Sequence, residues 1–164
     1  MGRPRGEGVI RPPYSAAPGA LRSVAFEVLA IPVPKARPRF SRRGAHVTTY
    51  TPAKTESYEG HVKFKARLAM RSAPPYAGPV RLVIYIAVPI PASWSQKRQA
   101  QAAAGEIGAT KKPDEDNVVK ALKDAMNGIV YLDDSQVVSN YIEKFYAREP
   151  GVRIEATELN LKRA

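Results

Sequence analysis

The sequence predicts an α+β (mixed α/β) fold, with one compact domain built from a small mixed sheet and flanking helices. Three observations lead there. At 164 residues the chain has the size of a single domain, able to bury roughly two-thirds of its unfolded surface. Stretches of strand character and of helical periodicity intersperse along it, without the regular strand-helix-strand rhythm of a doubly wound sheet. No apolar run approaches the roughly 20 residues of a membrane span, and no secretory signal is visible. A composition with 44% hydrophobic residues and no cysteine then suits a reduced, globular, cytoplasmic protein with no membrane partner.

Each element follows in order. Residues 1–22, MGRPRGEGVIRPPYSAAPGALR, are rich in Arg and Pro and lack periodicity, so they read as a basic, disordered arm ahead of a domain at 23–164. VAFEVLAIPV, from Val24 to Val33, is an apolar strand that ends at Pro32 and Pro34. PKARPRFSRRG then reads as a Pro/Gly-bounded loop in which Lys35, Arg37, Arg39, Arg42 and Arg43 crowd around Phe40, with no acid before Glu56. Thr51-Pro52 with Glu56 beyond marks a helix start, and Tyr58, Val62, Leu68 and Ala69 carry the helix to about Met70, before Pro74 and Pro75. PVRLVIYIAVP, from Pro79 to Pro89, is so continuously apolar that it predicts a strand buried on both faces. Residues 93–104 suit a short Gln/Ala-rich helix carrying Lys97 and Arg98, and Gly105 to Thr110 a loop.

Behind Pro113, Val118, Leu122 and Ala125 recur at helical spacing, and Asn127-Gly128 supplies the stop, with glycine taking the left-handed conformation. Val137, Val138, Tyr141, Ile142 and Phe145 fit a strand. VRIEATELNL, residues 152–161, alternates well enough for a last one.

The charge balance is the strongest bulk property: 26 Lys plus Arg against 15 Asp plus Glu, a net +11. Such a surface attracts polyanions, most commonly nucleic acid, with a ribosomal partner or acidic lipid as alternatives. The absence of cysteine removes thiolate nucleophiles and Cys-type zinc sites. His46 and His61 show no ligand spacing and read as surface or hydrogen-bonding residues. No Gly-x-Ser-x-Gly elbow occurs.

Against this background KKPDEDNVVKALKDAMNGIVYLDDSQ, residues 111–136, is anomalous in its acids. One carboxylate suffices to cap a helix. Asp114 and Asp116 place two side by side where the chain enters a helix, and paired carboxylates repel unless a cation lies between them. Lys120, four residues past Asp116, projects from the same helix face; an ion pair with Asp116 or Asp124 explains it as well. Asp133-Asp134 arrives after the helix and a short connection, at a length that lets the chain return alongside. Two or three aspartates from such separate elements suit Mg²⁺, a hard cation that keeps several waters. A calcium loop is excluded, since Val119 stands where glycine is needed and Ala125 where a bidentate glutamate belongs.

From about Val24 onward the chain resembles the RusA-type Holliday junction resolvases, common in phages and prophages. The resemblance is most specific in KPDEDNVVKALKDAMNGIVYLDDSQVV, where Pro-Asp-x-Asp-Asn, a lysine four residues on, Asp-Ala, Asn-Gly and Asp-Asp-x-Gln occur in order. PVPKARPRF, a following glycine and YTPAKTESYE are similar to the family's amino-terminal signature. The resemblance implies metal-binding aspartates at Asp114, Asp116 and Asp134, with Asp133 a less certain candidate because the connection before it varies in length. It implies a catalytic lysine at Lys120 and Mg²⁺ as cofactor, with Mn²⁺ as a substitute. It further implies a homodimer, bacterial or phage-encoded, that cuts two opposed strands of a four-way DNA junction in recombination and repair.

In this reading Lys35, Arg37, Arg39, Arg42 and Arg43 grip phosphates, joined by Lys111 and Lys112; a merely solvated loop is the alternative. Phe40, Tyr50 and Tyr58 are candidates for stacking on an opened junction, against ordinary places in core or rim. A non-catalytic nucleic-acid-binding module and a broader nuclease of branched DNA remain as competing functions.

Overall fold

The computed structural model describes residues 20–37, 39–43, 46–50 and 52–161. The described residues start in a sheet with β1 (Ala20–Val28) and leave it for a two-stranded hairpin, β2 (Arg39–Arg43) with β3 (His46–Tyr50). Helix α1 (Ala53–Met70) follows, then β4 (Val80–Pro89), α2 (Gln96–Ala103) and α3 (Glu115–Met126). A single 3-10 turn, Asp134–Gln136, leads into β5 (Val137–Ala147), and β6 (Gly151–Leu159) closes the sheet.

The main sheet is mixed, in the order β1-β6-β4-β5. β6 runs antiparallel to both β1 and β4, and β5 runs parallel to β4. Ile84 at the centre pairs with Ile154 on one side and Ile142 on the other. A parallel pair requires a crossover, and the segment from 90 to 136, with α2 and α3, provides it. Leu82 through Val88 are all buried, as a continuous apolar run in a central strand should be.

One face of the sheet carries the helices. Phe26, Val28, Leu82, Ile84, Ile86 and Ile154 meet Tyr58, Val62 and Ala66 of α1 and Val118, Leu122, Ala125 and Met126 of α3 in one core. Each large apolar side chain buried this way contributes about 1.5–3 kcal/mol. α1 packs on both β1 and α3, while α2 packs on β5. The predicted α+β class therefore holds.

Two boundaries move. The sequence reading begins the first strand at Val24, but Ala20 and Arg22 already pair with Leu159 and Glu158. The Arg22 side chain is fixed there by Glu158 (Nε to Oε2, 2.8 Å), so the sheet claims the last residues assigned to the arm; residues 1–19 of that arm lie outside the described residues. The strand also stops at Val28, leaving Leu29 and Ile31 exposed. The stretch read as a basic loop folds instead into the hairpin, with Arg39 opposite Tyr50 and Arg43 opposite His46. HVTTY, rich in β-branched residues just past Gly44, carries the missed signal.

Candidate functional site

The acids of residues 111–136 are set by the start of α3. Asp114 is its N-cap, extended in backbone, and its carboxylate makes no capping bond. Asp116 accepts a hydrogen bond from the Asn117 N–H (2.9 Å). Val118, Ala121, Leu122 and Ala125 are buried, which turns the opposite face of α3 outward. Asp116, Lys120 and Asp124 then form a stripe at four-residue spacing. Lys120 leans toward Asp124 (Nζ to Oδ1, 3.7 Å) with its side chain 61% exposed, a loose contact of the kind that contributes little to stability. Asp114 and Asp116 have no ion-pair partner among the described residues.

Two lysines hold this helix start in place. Lys144 of β5 donates to the carbonyls of Lys111 (3.0 Å) and Pro113 (2.9 Å), tying the entry loop to the sheet edge. Lys35 donates its backbone N–H to the Asn117 carbonyl (2.8 Å). Its ammonium sits between Glu59 of α1 (2.6 Å) and Asp124 of α3 (3.1 Å). Burial pulls the Lys35 pKa down, and hydrogen bonds and charge from Glu59 and Asp124 outweigh it, so the value ends above the usual lysine range. Lys35 is thus a clamp across α1, α3 and the stem of the hairpin, its charge matched by two carboxylates within the protein. Arg37, Lys111 and Lys112 are exposed. The backbones of Arg39, Arg42 and Arg43 lie in β2, and their side chains fall outside the described residues.

The second acidic motif divides its labour. Asp133 caps the 3-10 turn by accepting the Ser135 N–H (2.8 Å), and these bonds to Ser135 lower its pKa. Gln136 is buried and fully used: Oε1 accepts from Leu132 (2.8 Å) and Asp133 (2.9 Å), and Nε2 donates to the carbonyls of Tyr76 (2.9 Å) and Gly78 (2.8 Å). Asp134, half-buried, is left without a capping role. Beside it the buried Tyr131 hydroxyl donates to the Lys123 carbonyl (3.0 Å). Burial, then the charges of Asp134, Asp124 and Asp133, raise the Tyr131 pKa.

Carboxylate oxygens are the donors that a hard divalent cation takes, and Asp114, Asp116 and Asp134 fit it in chemistry. They do not form a closed ligand set: among the described residues no three of His, Cys, Asp and Glu gather closely enough to hold a metal ion. Asp114 and Asp116 share the start of α3, whereas Asp134 is carried by a turn anchored through Gln136 to Tyr76 and Gly78. Tyr58 is buried in the core and unavailable for stacking, His61 is exposed, and the side chains of Phe40, Tyr50 and His46 lie outside the described residues. Sequence reasoning missed Glu59, Lys144 and Gln136 as the anchors of the site. Glu59 and Lys144 find their partners, and Gln136 two of its four, far away in sequence, where no local spacing reveals them.

Comparison with known proteins adds the family. YqaN of Bacillus subtilis (strain 168), itself uncharacterized, is 38% identical over 141 residues, covering 84% of this chain and 97% of YqaN. A family model described as endodeoxyribonuclease RusA matches residues 30–157, which include the hairpin, all of α3 and Asp133-Asp134. With its aspartates at the start of α3 and that match across most of its length, the chain belongs to the RusA endodeoxyribonuclease family.

Proposed function

We propose that the protein is a Mg²⁺-dependent endonuclease that resolves four-way DNA junctions by paired, symmetric phosphodiester cleavage, acting as a homodimer. The observation that carries this reading is the exposed start of α3, with Asp114 at its cap and Asp116 followed by Lys120 one turn on, within a chain of the RusA family. Asp114 and Asp116 would hold the ion, with Asp134 as a third ligand and Mn²⁺ as a substitute. The ion supplies Lewis acidity toward the phosphate and activates water.

The chain's own residues supply the rest. The exposed basic side chains Arg37, Lys111 and Lys112 hold the phosphate backbone without reading bases. Lys120, on the turn after Asp116, faces the scissile phosphate with its ammonium. Its charge offsets the negative charge that builds up as the water oxygen bonds to phosphorus and the bond to the leaving sugar oxygen breaks. Asp124 orients Lys120, and Lys35 in turn holds Asp124. A two-fold dimer places one such centre at each of two equivalent strands.

Comparing cleavage rates on a four-way junction, a fork and a linear duplex at matched salt tests the substrate class, because the electrostatic part of binding falls steeply with salt. The junction should be cut at least about tenfold faster than the duplex, a difference of about 1.4 kcal/mol in the barrier, with two symmetric nicks. Equal rates on fork and junction would replace this reading with a general branched-DNA nuclease.

A further inference from the structure

The basic residues ahead of α3 belong to a larger surface. Trp94 packs edge-on against Tyr146 of β5, with ring centroids 5.2 Å apart and planes at 67°. Its carbonyl accepts from Gln99 Nε2 (2.7 Å), and Ser95 next to it caps α2 by accepting the Arg98 N–H (3.3 Å). The Arg98 guanidinium lies over the indole, 4.1 Å from the ring centroid, and the Lys111 ammonium is 5.9 Å from the same centroid. Lys97 and Lys112 are exposed nearby in sequence. Among the described residues none of these four cations has a carboxylate partner that would neutralise it.

A guanidinium stacked on an aromatic face keeps its planar fork fixed while its edge N–H groups stay available to an oxyanion. The surface is also pinned from beneath, by Tyr146 under Trp94 and by Lys144 on the Lys111 carbonyl. It lies on the β5 edge of the sheet, and its Lys111 stands three residues before Asp114 in sequence. The hairpin stem departs from the other side, where Lys35 meets α1 and α3.

We propose that Lys97, Arg98, Lys111 and Lys112 around Trp94 form a second binding site for a nucleic-acid phosphate backbone. It holds one DNA arm on the β5 side of α3, across that helix from Lys35 and the hairpin stem. This assignment rests on the reading of the chain as a junction endonuclease. Trp94 is the sole tryptophan, so its fluorescence reports on this surface alone.

The full-length protein is titrated with a four-way junction in chelator, between about 50 and 200 mM salt. Emission from Trp94 and affinity are followed for wild type, for Lys97→Ala with Arg98→Ala, and for Lys97→Glu, which leaves the indole stack untouched. Arg67→Ala, an exposed charge on α1, serves as the control. Wild type should show a saturable, salt-sensitive change in emission. The double variant should lose about tenfold or more in affinity, and its slope of log affinity against log salt should fall by about two; Lys97→Glu should shift the same way, and Arg67→Ala should not. If wild type binds and cuts the junction but both variants keep its affinity and slope, or change only as Arg67→Ala does, the proposal is overturned and the nuclease reading stands. A wild type that binds no DNA overturns the nuclease reading and this site with it.

Discussion

At the scale of single residues, a charged side chain is defined by its partners. Lys35, one of five basic residues in a short stretch, is held by Glu59 and Asp124, so Lys35→Ala leaves Glu59 without its cation and Asp124 with only the loose contact to Lys120. The expected cost is about 1–3 kcal/mol, seen as a melting temperature lower by several degrees. Glu158 is the counterpart within the sheet, buried, paired with Arg22 and accepting from Ala77 (3.0 Å) and Gly78 (2.9 Å). Burial raises its pKa, and the bonds from Arg22, Gly78 and Ala77 more than offset this, so the value ends below the usual glutamate range. A lowered carboxylate pKa stabilises the fold above the unfolded value, and that contribution is lost as pH falls through the folded one. Melting curves should therefore show Glu158→Gln clearly less stable than wild type at neutral pH, with the difference shrinking below about pH 4.5; a constant difference would contradict the assignment. The candidate acids were legible at this scale because Asp-x-Asp at a helix start is a local pattern. That Asp133 is a cap and Asp134 is not could not be read, since it depends on Ser135 and Gln136 closing a turn.

Elements are positioned by contacts that a local pattern only partly reveals. The helices were readable to within a few residues, as apolar spacing and Pro or Gly punctuation act within one turn of their cause. Tyr58, Val62, Val118 and Leu122 do face the core. The hairpin was not readable, because five basic residues and two prolines obscured a five-residue strand whose pairing only HVTTY suggests. Two changes test the framework. Gly151 begins β6 where an added Cβ would lie 2.9 Å from the Val28 carbonyl oxygen, and backbone cannot yield as a side chain can. Gly151→Ala should therefore cost about 1–3 kcal/mol in chemical denaturation. Gln136→Ala strands two N–H groups and two carbonyls, which predicts a loss of about 3 kcal/mol or more. It should also loosen Asp134, so junction cleavage in Gln136→Ala should fall more than the folded fraction does.

The whole molecule combines a net +11 with a small acidic group on α3. In the proposed mechanism long-range charge brings the phosphodiester in, and the acids at the start of α3 would hold the cation that meets it. A dimer of the 17.9 kDa chain is the assembly that the proposed symmetric cut requires, and light scattering in solution should give twice that mass. The three helices and the four strands of the main sheet were legible from periodicity, but the sheet order β1-β6-β4-β5 was not. It rests on pairings between residues far apart in sequence, such as Phe26 with Ile154 and Ile84 with Ile142, for which one sequence offers no local signal. The proposed chemistry turns on the aspartates at the start of α3. Its most direct test is the single-turnover rate of junction cleavage against Mg²⁺ concentration for wild type and Asp116→Asn, at protein concentrations where both bind the junction fully. Wild type should show a saturating dependence on Mg²⁺ and no cleavage in chelator, with Asp116→Asn slower by about a hundredfold or more at every concentration while binding equally or more tightly. Cleavage by wild type without a divalent cation, or equal rates for the two proteins, would contradict it.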